Sequence, residues 1–276
     1  MTTLLAVPNV SEGRDQLALE AIARALGPGL LYLSSDHDHH RAVFTLAGRP
    51  GAVHAALTNA AKTILERIDL TLHRGVHPRV GALDVAPIVY LRDEDRGAAA
   101  AEALVLADEL GELGIPVFLY GELAGGRTRA ELRRGGPGEL QRRIEQQELA
   151  PDFGPPRLHP TAGATLVAAR PPLIAFNVEI DAPLATAKEI AARIRETLPA
   201  VKALGLELPT AGVVQVSTNI EDHTRVTAAD VVAAVRRHAP VRAAELVAPA
   251  PRAALANFPE DVPLRGPDPL EDQLPS

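Results

Sequence analysis

LIAFNVEIDAPLATAKEIAARIRETL, residues 173–198, contains a strand pattern followed directly by a helix pattern. Its first eight residues are mostly apolar, which predicts a strand, and 185–198 has the amphipathic character of a helix. Four further segments then follow in the order strand, strand, helix, strand: 201–208, 212–219, 227–238 and 242–249. This part of the chain therefore has the order β-α-β-β-α-β.

The same order occurs in the first 91 residues. Strands are predicted over 3–9, 30–34, 42–48 and 84–91, and helices over 15–29 and 50–68. A further helix at 98–113, a strand at 115–120 and a strand at 164–170 extend this first unit. The repeated order predicts an α/β (α+β) protein with two ferredoxin-like βαββαβ subdomains and a ligand groove between them.

Pro171 and Pro172 mark the expected boundary between the two subdomains. We expect the N-terminal subdomain to span 1–171 and the C-terminal subdomain to span 172–258. The tail, 259–276, is rich in proline and acidic residues and is predicted to be disordered.

The composition excludes several classes of protein. The 276 residues carry a net charge of −7 and only 3% aromatic residues, which argues against nucleic-acid binding. Cysteine is absent, which excludes disulfides, thiolate metal sites and a cysteine nucleophile. The first residues do not resemble a signal peptide, and the apolar segment 97–114 has four acidic residues. We therefore expect a cytoplasmic protein with no membrane association.

HRGVHPRVGALD, residues 73–84, is the strongest candidate for chemistry. Pro78 restrains the backbone directly after His77, so the imidazole lies on a stiff loop. A neutral imidazole near pH 7 can accept and donate a proton, and the guanidinium groups of Arg74 and Arg79 can bind carboxylates. The alternative is purely structural: the histidines cap backbone groups and the arginines pair with surface acids.

SDHDHHR, residues 35–41, has two aspartates and three histidines, including Asp36 and His39. Such a composition can ligate a metal, but these residues are adjacent in a predicted turn, where aspartate is favoured for local hydrogen bonding. No metal is therefore expected, and the segment is interpreted as a binding turn.

Two other loops are candidates for ligand contact. Asn9 lies in the polar turn 8–14, which alternatively serves only to cap the following helix. DFGPPRLHPTAGA, residues 152–164, is too rich in proline and glycine to be a casual linker. It is either a ligand-contact loop or a brace between the subdomains.

Five segments together resemble the glutamate formimidoyltransferase family, the formiminotransferase part of formiminotransferase-cyclodeaminase. They are VPNVSEGRD (7–15), HRGVHPRVGALDVAPIVY (73–90), VFLYGE (117–122), DFGPPRLHPTAGATLVAARPPLIAFNV (152–178) and VQVSTNIED (214–222). The resemblance is in the same order along the chain and extends from about residue 4 to about residue 249. It implies two related α/β subdomains with folate bound between them, and transfer of the formimino group from N-formimino-L-glutamate to N5 of tetrahydrofolate in histidine degradation.

The resemblance also implies roles for particular residues. The family's catalytic histidine corresponds to His77, which is expected to protonate the departing glutamate nitrogen. Arg74, Arg79, Arg157 and Lys202 are candidate carboxylate anchors, and Asn9, Asp36 and His39 are candidate substrate contacts. The family's folate-binding segment corresponds to 154–163, with these contact residues: Gly154, Pro155, Arg157, His159, Pro160 and Gly163.

The sequence departs from the family at a few positions. Many members have Lys and Glu where this chain has Arg74 and Val76, so the charge around His77 differs. An aromatic residue in some members' folate loop is replaced near Thr161 and Ala162. The cyclodeaminase domain has no counterpart in these 276 residues, so a separate cyclodeaminase is expected to take the product.

The sequence leaves three alternatives to formimino transfer open. The first is a related folate activity on 5-formyltetrahydrofolate, since formyl and formimino differ only by O for NH. The second is a non-catalytic folate-binding module, and the third is a metal-dependent hydrolase that uses the turn 35–41. Tetrahydrofolate is expected as co-substrate, formiminoglutamate as the other small-molecule partner, and a homodimer is implied by the resemblance alone.

Overall fold

The computed structural model describes residues 2–274, and contacts divide the chain between Pro171 and Pro172 into two compact units. Each unit combines helices with a sheet, as expected for an α/β protein. Within residues 2–274, none of the helices has the length and apolar character needed to cross a membrane.

Residues 2–171 of the first unit contain seven strands and five α-helices. The strands are β1 (Leu4–Ala6), β2 (Asn9–Val10), β3 (Leu30–Asp36), β4 (Arg41–Gly48), β5 (Leu83–Tyr90), β6 (Val117–Leu119) and β7 (Thr165–Arg170). The helices are α1 (Gln16–Leu26), α2 (Ala52–Arg67), α3 (Arg96–Glu112), α4 (Arg129–Arg133) and α5 (Gly136–Glu145).

The strand predicted over 3–9 is divided into β1 and β2. Both pair with β4 on one side and β5 on the other, in antiparallel register. Pro8, between them, has no N–H to donate to a neighbouring strand, so regular pairing is interrupted there. The pairing nevertheless continues in register with β4, since Leu5 is opposite Ala47 and Asn9 is opposite Val43.

The sheet of the first unit has the ferredoxin-like order with an extension. Across the sheet, β3 pairs with β4, β4 with β1 and β2, and these two with β5. With α1 and α2, this is the predicted βαββαβ unit. β7 and β6 then add to β5 as parallel strands.

Both faces of β5 and β7 are covered. Val167 and Ala169 belong to the main core, which contains buried residues of α1, α2 and α3. Leu166 and Ala168 alternate with them and pack in a second cluster with residues of α4 and α5. The segment 121–160 thus contains two helices, α4 and α5, that cover the second face.

The second unit repeats the order. It contains β8 (Ile174–Ile180), α6 (Leu184–Thr197), β9 (Val201–Leu208), β10 (Val213–Ile220), α7 (Ala228–Arg236), β11 (Val241–Leu246), β12 (Leu264–Arg265) and α8 (Leu270–Gln273). Its sheet order is β12-β11-β8-β10-β9, which is ferredoxin-like apart from the added β12. A capping box is present at the start of α7, because Thr227 and Asp230 exchange hydrogen bonds.

The tail from 259 to 274 is ordered, which corrects the prediction of disorder for this part of 259–276. β12 pairs in parallel with β11, and α8 lies at the end of the described chain. Val262 and Leu270 are buried, and Arg252 forms an ion pair with Asp272. A few well-spaced apolar residues anchor the segment, a feature that its average composition conceals. Residues 275 and 276 lie outside the described residues.

Candidate functional site

The segment 73–84, which follows α2 and runs into β5, contacts two of the other candidate segments, the turn 35–41 and the loop 152–164. Val76 N–H donates to the carbonyl of Asp38 in the turn 35–41, at 3.2 Å. Ala82 N–H donates to the carbonyl of Ala162 at 2.8 Å, in the loop 152–164. The fold therefore brings together three polar segments that are far apart in the sequence.

Two glycines permit this close approach. A Cβ on Gly75 would overlap the carbonyl oxygen of His39, and one on Gly81 would overlap the carbonyl oxygen of Ala164. Any side chain at either position requires the backbone to move apart. The glycines of the motif thus hold the loop against its neighbours.

His77 is half-buried on this loop. Its Nδ1 lies 2.7 Å from the carbonyl oxygen of Pro78. A carbonyl only accepts, so Nδ1 carries the proton and Nε2 has the lone pair in the neutral ring. Burial lowers the pKa of His77 well below its usual value, and the charges of Arg41 and Arg133 lower the pKa further. The imidazole is therefore neutral near pH 7.

Asp84, at the start of β5, is fully buried between two arginines. It accepts a hydrogen bond from Arg41 Nη1 at 2.8 Å and another from Arg133 Nη2. Its second oxygen accepts from the N–H of Val80 at 2.8 Å. Burial raises the pKa of Asp84, but Arg133 and Arg41 outweigh that effect and hold the pKa below its usual value.

Arg41, Asp84 and Arg133 do not appear among the predicted site residues. A signal was present for Asp84, because an aspartate within the otherwise apolar run 83–90 requires a buried partner. Arg133 gives no such signal. It belongs to a charged segment, and only the tertiary structure brings it to a carboxylate 49 positions earlier.

Asn9 is held by the same network. Its Oδ1 accepts hydrogen bonds from Arg41 Nε at 3.1 Å and Nη2 at 2.9 Å, and its Nδ2 donates to the carbonyl of Val7. The Asn9 side chain thereby orients the guanidinium of Arg41.

Asp36 and His39 form a local pair. One carboxylate oxygen of Asp36 accepts from the backbone N–H of His39 at 2.7 Å and lies 2.8 Å from His39 Nδ1. The ring of His39 is buried, and its centroid is 6.1 Å from that of His77. Asp36 thus orients an imidazole beside His77.

Another histidine pair fixes the beginning of the loop. The rings of His40 and His73 stack with centroids 4.1 Å apart, and His73 Nε2 lies 2.7 Å from the carbonyl oxygen of His40. His40 Nε2 in turn lies 3.0 Å from Glu12 Oε1. Burial lowers the pKa of His73 to about 4, so this ring is neutral as well.

Arg74 and Arg79 are used within the loop. Arg74 Nη1 donates to the carbonyls of Thr71 and His73. Arg79 donates to three carbonyls of the loop, those of His73, Gly75 and His77. These contacts stiffen the segment that carries His77, so both side chains serve the loop itself.

The segment 154–163 forms a tight turn against the same loop. His159 and Gly163 exchange two backbone hydrogen bonds, of 3.0 and 2.9 Å. Gly163 has a φ of 70°, and a Cβ there would overlap the carbonyl oxygen of Val80. His159 Nδ1 accepts from the N–H of Ala162 at 3.1 Å, which fixes the orientation of the ring.

An open cavity of about 370 Å³ lies beside this turn. Its lining residues are Leu70, Thr71, Pro137, Gly138, Gln141, Leu158, His159, Pro160 and Gly163. Three of the predicted folate contacts thus line the cavity, whereas Gly154, Pro155 and Arg157 do not belong to the lining. Gly154, with a φ of 77°, instead packs closely against Gly111 and Ile115.

The histidine-rich turn has no metal-binding arrangement. Among residues 2–274, no three His, Cys, Asp or Glu side chains converge in a way that could hold a metal ion. Lys202, the remaining predicted anchor, lies on β9 of the second unit, with its Nζ 3.9 Å from Glu221.

The first unit thus has a neutral histidine on a rigid loop with two arginines near it, and a cavity beside the turn 159–163 that packs against this loop. These features are suited to acid–base chemistry on a small anionic molecule. Comparison with known proteins is consistent with this class of site. Residues 3–170 match the formiminotransferase domain, N-terminal subdomain. The chain belongs to the formiminotransferase domain family.

Relatives of two kinds resemble this chain. Formimidoyltransferase-cyclodeaminase of Sus scrofa is 40% identical over 236 residues, which cover 78% of this chain and 43% of that protein. Glutamate formimidoyltransferase of Streptococcus pyogenes serotype M1 is 38% identical over 226 residues, 78% of this chain and 76% of that protein. Glutamate formimidoyltransferase of Thermoplasma acidophilum is 35% identical over 240 residues, 82% of this chain and 78% of that protein. The chain thus spans less than half the length of the Sus scrofa relative.

Proposed function

We propose that this chain transfers the formimino group of N-formimino-L-glutamate to N5 of tetrahydrofolate, giving 5-formiminotetrahydrofolate and L-glutamate. The observation that carries the proposal is the state of His77, a neutral imidazole whose Nδ1 is held by Pro78, so that Nε2 is the atom that exchanges protons. The names of the Streptococcus and Thermoplasma relatives support the choice of reaction.

The reaction needs one proton to move between two nitrogen atoms. N5 of tetrahydrofolate attacks the carbon of the donor's amidinium, a C–N5 bond forms, and the C=N electron pair moves to the amidinium NH₂. N5 then gives its proton to Nε2 of His77. The imidazolium protonates the glutamate nitrogen, the bond from carbon to that nitrogen breaks with its electron pair on nitrogen, and the C=N bond forms again.

A histidine with a lowered pKa suits both halves of this transfer. Neutral His77 can accept the N5 proton, and its imidazolium gives the proton up readily because burial and the neighbouring cations disfavour the charge. The hydrogen bonds of Arg79 to the carbonyls of Gly75 and His77 limit movement of the backbone that carries the imidazole. A fixed position lets one residue serve two nitrogen atoms in turn.

Tetrahydrofolate is the proposed co-substrate, with the cavity beside 159–163 as its site. Leu70, Leu158 and Pro160 provide apolar walls, and Gln141 and Thr71 provide polar groups. Nothing in this transfer requires a metal ion. The predicted groove between the subdomains, the homodimer, the separate cyclodeaminase and the cytoplasmic location stay predictions of the sequence.

The test is a spectrophotometric transfer assay with tetrahydrofolate and formiminoglutamate. His77→Gln should lower kcat by about 100-fold or more, which is the usual contribution of a general acid–base residue, with substrate affinity retained in calorimetry. His238→Gln, in which an exposed histidine of the second unit is replaced, is the matched control and should remain active.

Two results would contradict the proposal. If the parent protein fails to transfer the formimino group, the reaction is wrong, and 5-formyltetrahydrofolate is the next substrate to test. If the parent is active and His77→Gln is equally active, the reaction stands but His77 is not the proton carrier.

A further inference from the structure

Two guanidinium groups share a single buried carboxylate in the first unit. Arg41 and Arg133 both donate to Asp84, and within residues 2–274 no other carboxylate lies within ion-pair distance of either arginine. Burial lowers the pKa of Arg41 to about 10, and the charges of Arg133 and Arg129 lower the pKa as well. The cluster thus has more positive than negative charge. Because an unbalanced buried charge is costly, it favours a bound anion.

The hydrogen bonds of the two arginines indicate which one has capacity for an anion. A guanidinium has five N–H donors. Arg41 uses Nε and Nη2 on Asn9 and Nη1 on Asp84. Arg133 uses Nη2 on Asp84, whereas its buried Nε has no hydrogen-bond partner among residues 2–274. Arg133 therefore has an unsatisfied donor in a cluster that favours an anion.

The cluster adjoins the loop of His77. Asp84 accepts from the N–H of Val80, three residues after His77. His39, whose ring neighbours that of His77, is two residues before Arg41. The charges of Arg41 and Arg133 also reach His77 strongly enough to lower its pKa. An anion bound by Arg133 would thus lie near the proton-transferring imidazole.

The chemistry of the donor identifies that anion. The nitrogen that His77 protonates in the proposed reaction is bonded to the α-carbon of glutamate, which also bears the α-carboxylate. Two bonds separate that nitrogen from the carboxylate carbon, so the α-carboxylate must lie close to His77. Arg74 and Arg79, the anchors expected from the sequence, donate to the carbonyls of His73 and Gly75 in their own loop.

We propose that Arg133, held on Asp84 opposite Arg41, binds the α-carboxylate of the formimino donor and so positions the departing nitrogen at His77. The inference rests on the proposed function. It assigns a specificity role to a side chain of the short helix α4. The donor would supply the negative charge that the cluster lacks.

The test combines one substitution with two donor analogues. N-formimino-4-aminobutyrate lacks the α-carboxylate, and N-formimino-2-aminobutyrate lacks the γ-carboxylate. Arg133→Met should lower kcat/KM for formiminoglutamate by about 10- to 100-fold, through KM for the donor, with KM for tetrahydrofolate unchanged. Arg134→Met, which removes the neighbouring exposed arginine, is the matched control and should behave as the parent.

The analogues test which carboxylate is bound. With the analogue that lacks the α-carboxylate, Arg133→Met and the parent should differ by less than about threefold, because the interaction is already missing. With the analogue that lacks the γ-carboxylate, the full difference should persist. The proposal is overturned if Arg133→Met differs from the parent to the same extent with both analogues. It is also overturned if the difference is lost only with the analogue that lacks the γ-carboxylate.

Folate also carries carboxylates, so a second arm uses tetrahydropteroate, which has no glutamate. If the effect of Arg133→Met disappears with this acceptor, the arginine binds the folate tail and the proposal is wrong. If Arg133→Met folds poorly, the activity of the parent with the two donor analogues still shows whether the α-carboxylate is needed. Arg133→Lys, which retains the charge, is a milder variant. Failure of the parent to use formiminoglutamate is a different outcome, which overturns the proposed function itself.

Discussion

Asp84 Oδ1 accepts a hydrogen bond of 2.8 Å from the backbone N–H of Val80. The buried carboxylate that neutralises Arg41 thus also fixes the end of the loop that carries His77. One side chain on β5 thereby connects the charge balance of the site to the shape of the loop 73–84.

Replacing Asp84 by asparagine should be strongly destabilising. The change leaves two buried guanidinium groups without their anion, and breaking a buried pair in this way costs about 3–5 kcal/mol. The free energy of unfolding, measured by denaturant titration, tests this. Asp108→Asn, at an exposed position on α3, is the control and should change stability by less than about 0.5 kcal/mol. Similar stability of the two variants would contradict the structural role of Asp84.

Gly81→Ala should disturb the contact between the loop 73–84 and Ala164, the residue before β7. Its Cβ would overlap the carbonyl oxygen of Ala164, so the cost should be about 1–3 kcal/mol of folding free energy. Gly97→Ala is the matched control, because a Cβ at this position of α3 has no neighbour within 4 Å. It should be neutral or stabilising by up to about 1 kcal/mol. If both variants have the same midpoint in thermal unfolding, the close approach at Gly81 is not rigid.

Stability should decrease as the pH falls from 7 towards 4, partly because of His73. In the unfolded chain this histidine takes up a proton near its usual pKa of about 6.5, whereas burial lowers its pKa to about 4 in the folded state. The unfolded state therefore binds more protons across this window, and up to roughly 3 kcal/mol is lost. His73→Gln should flatten the curve of unfolding free energy against pH between 6.5 and 4.5.

Carboxylates do not account for this window. Hydrogen bonds lower the pKa of Glu12 and of Asp36 although burial opposes the shift, so both groups also destabilise the fold on acidification. The unfolded chain protonates such carboxylates only near their usual pKa values of about 4, so their effect on stability starts below about pH 5, and this effect remains in the His73→Gln variant. An unchanged slope between pH 6.5 and 4.5 in that variant would show that His73 does not titrate as described.

On the acid side, kcat/KM should begin to fall only below pH 6.5, and this falling part of the pH profile is its acid limb. The proposed transfer starts with neutral His77, whose pKa is lowered by burial and by Arg41 and Arg133. A plot of kcat/KM against pH should thus remain level from pH 8 down to about 6.5 before it falls. Arg133→Met removes one of the cations and should move the limb to higher pH. A limb above 6.5 in the parent would contradict the neutral state of His77.

The sequence alone predicts the repeated βαββαβ order and the importance of His77. Strands such as 173–180 and helices such as 185–198 have clear periodicity, because each buries one side or one stripe against a core. Pro78 and the two glycines of the loop 73–84 likewise have local conformational consequences that can be inferred without a structure.

Other features are decided only by tertiary contacts. The ordered tail depends on burial of Val262 and Leu270, two residues in a segment whose average composition predicts disorder. The position of the two helices that cover β5 and β7 likewise depends on which neighbours these elements meet.

The site shows the same distinction at the level of single side chains. Arg74 and Arg79 lie close to His77 in the sequence, yet they donate to carbonyls of their own loop. Arg41 and Arg133 are 92 positions apart, yet both meet Asp84 in the interior. A local pattern determines which backbone conformations and periodic faces a segment can adopt. Electrostatic balance in a buried site depends on distances across the fold, and only the tertiary structure sets those distances.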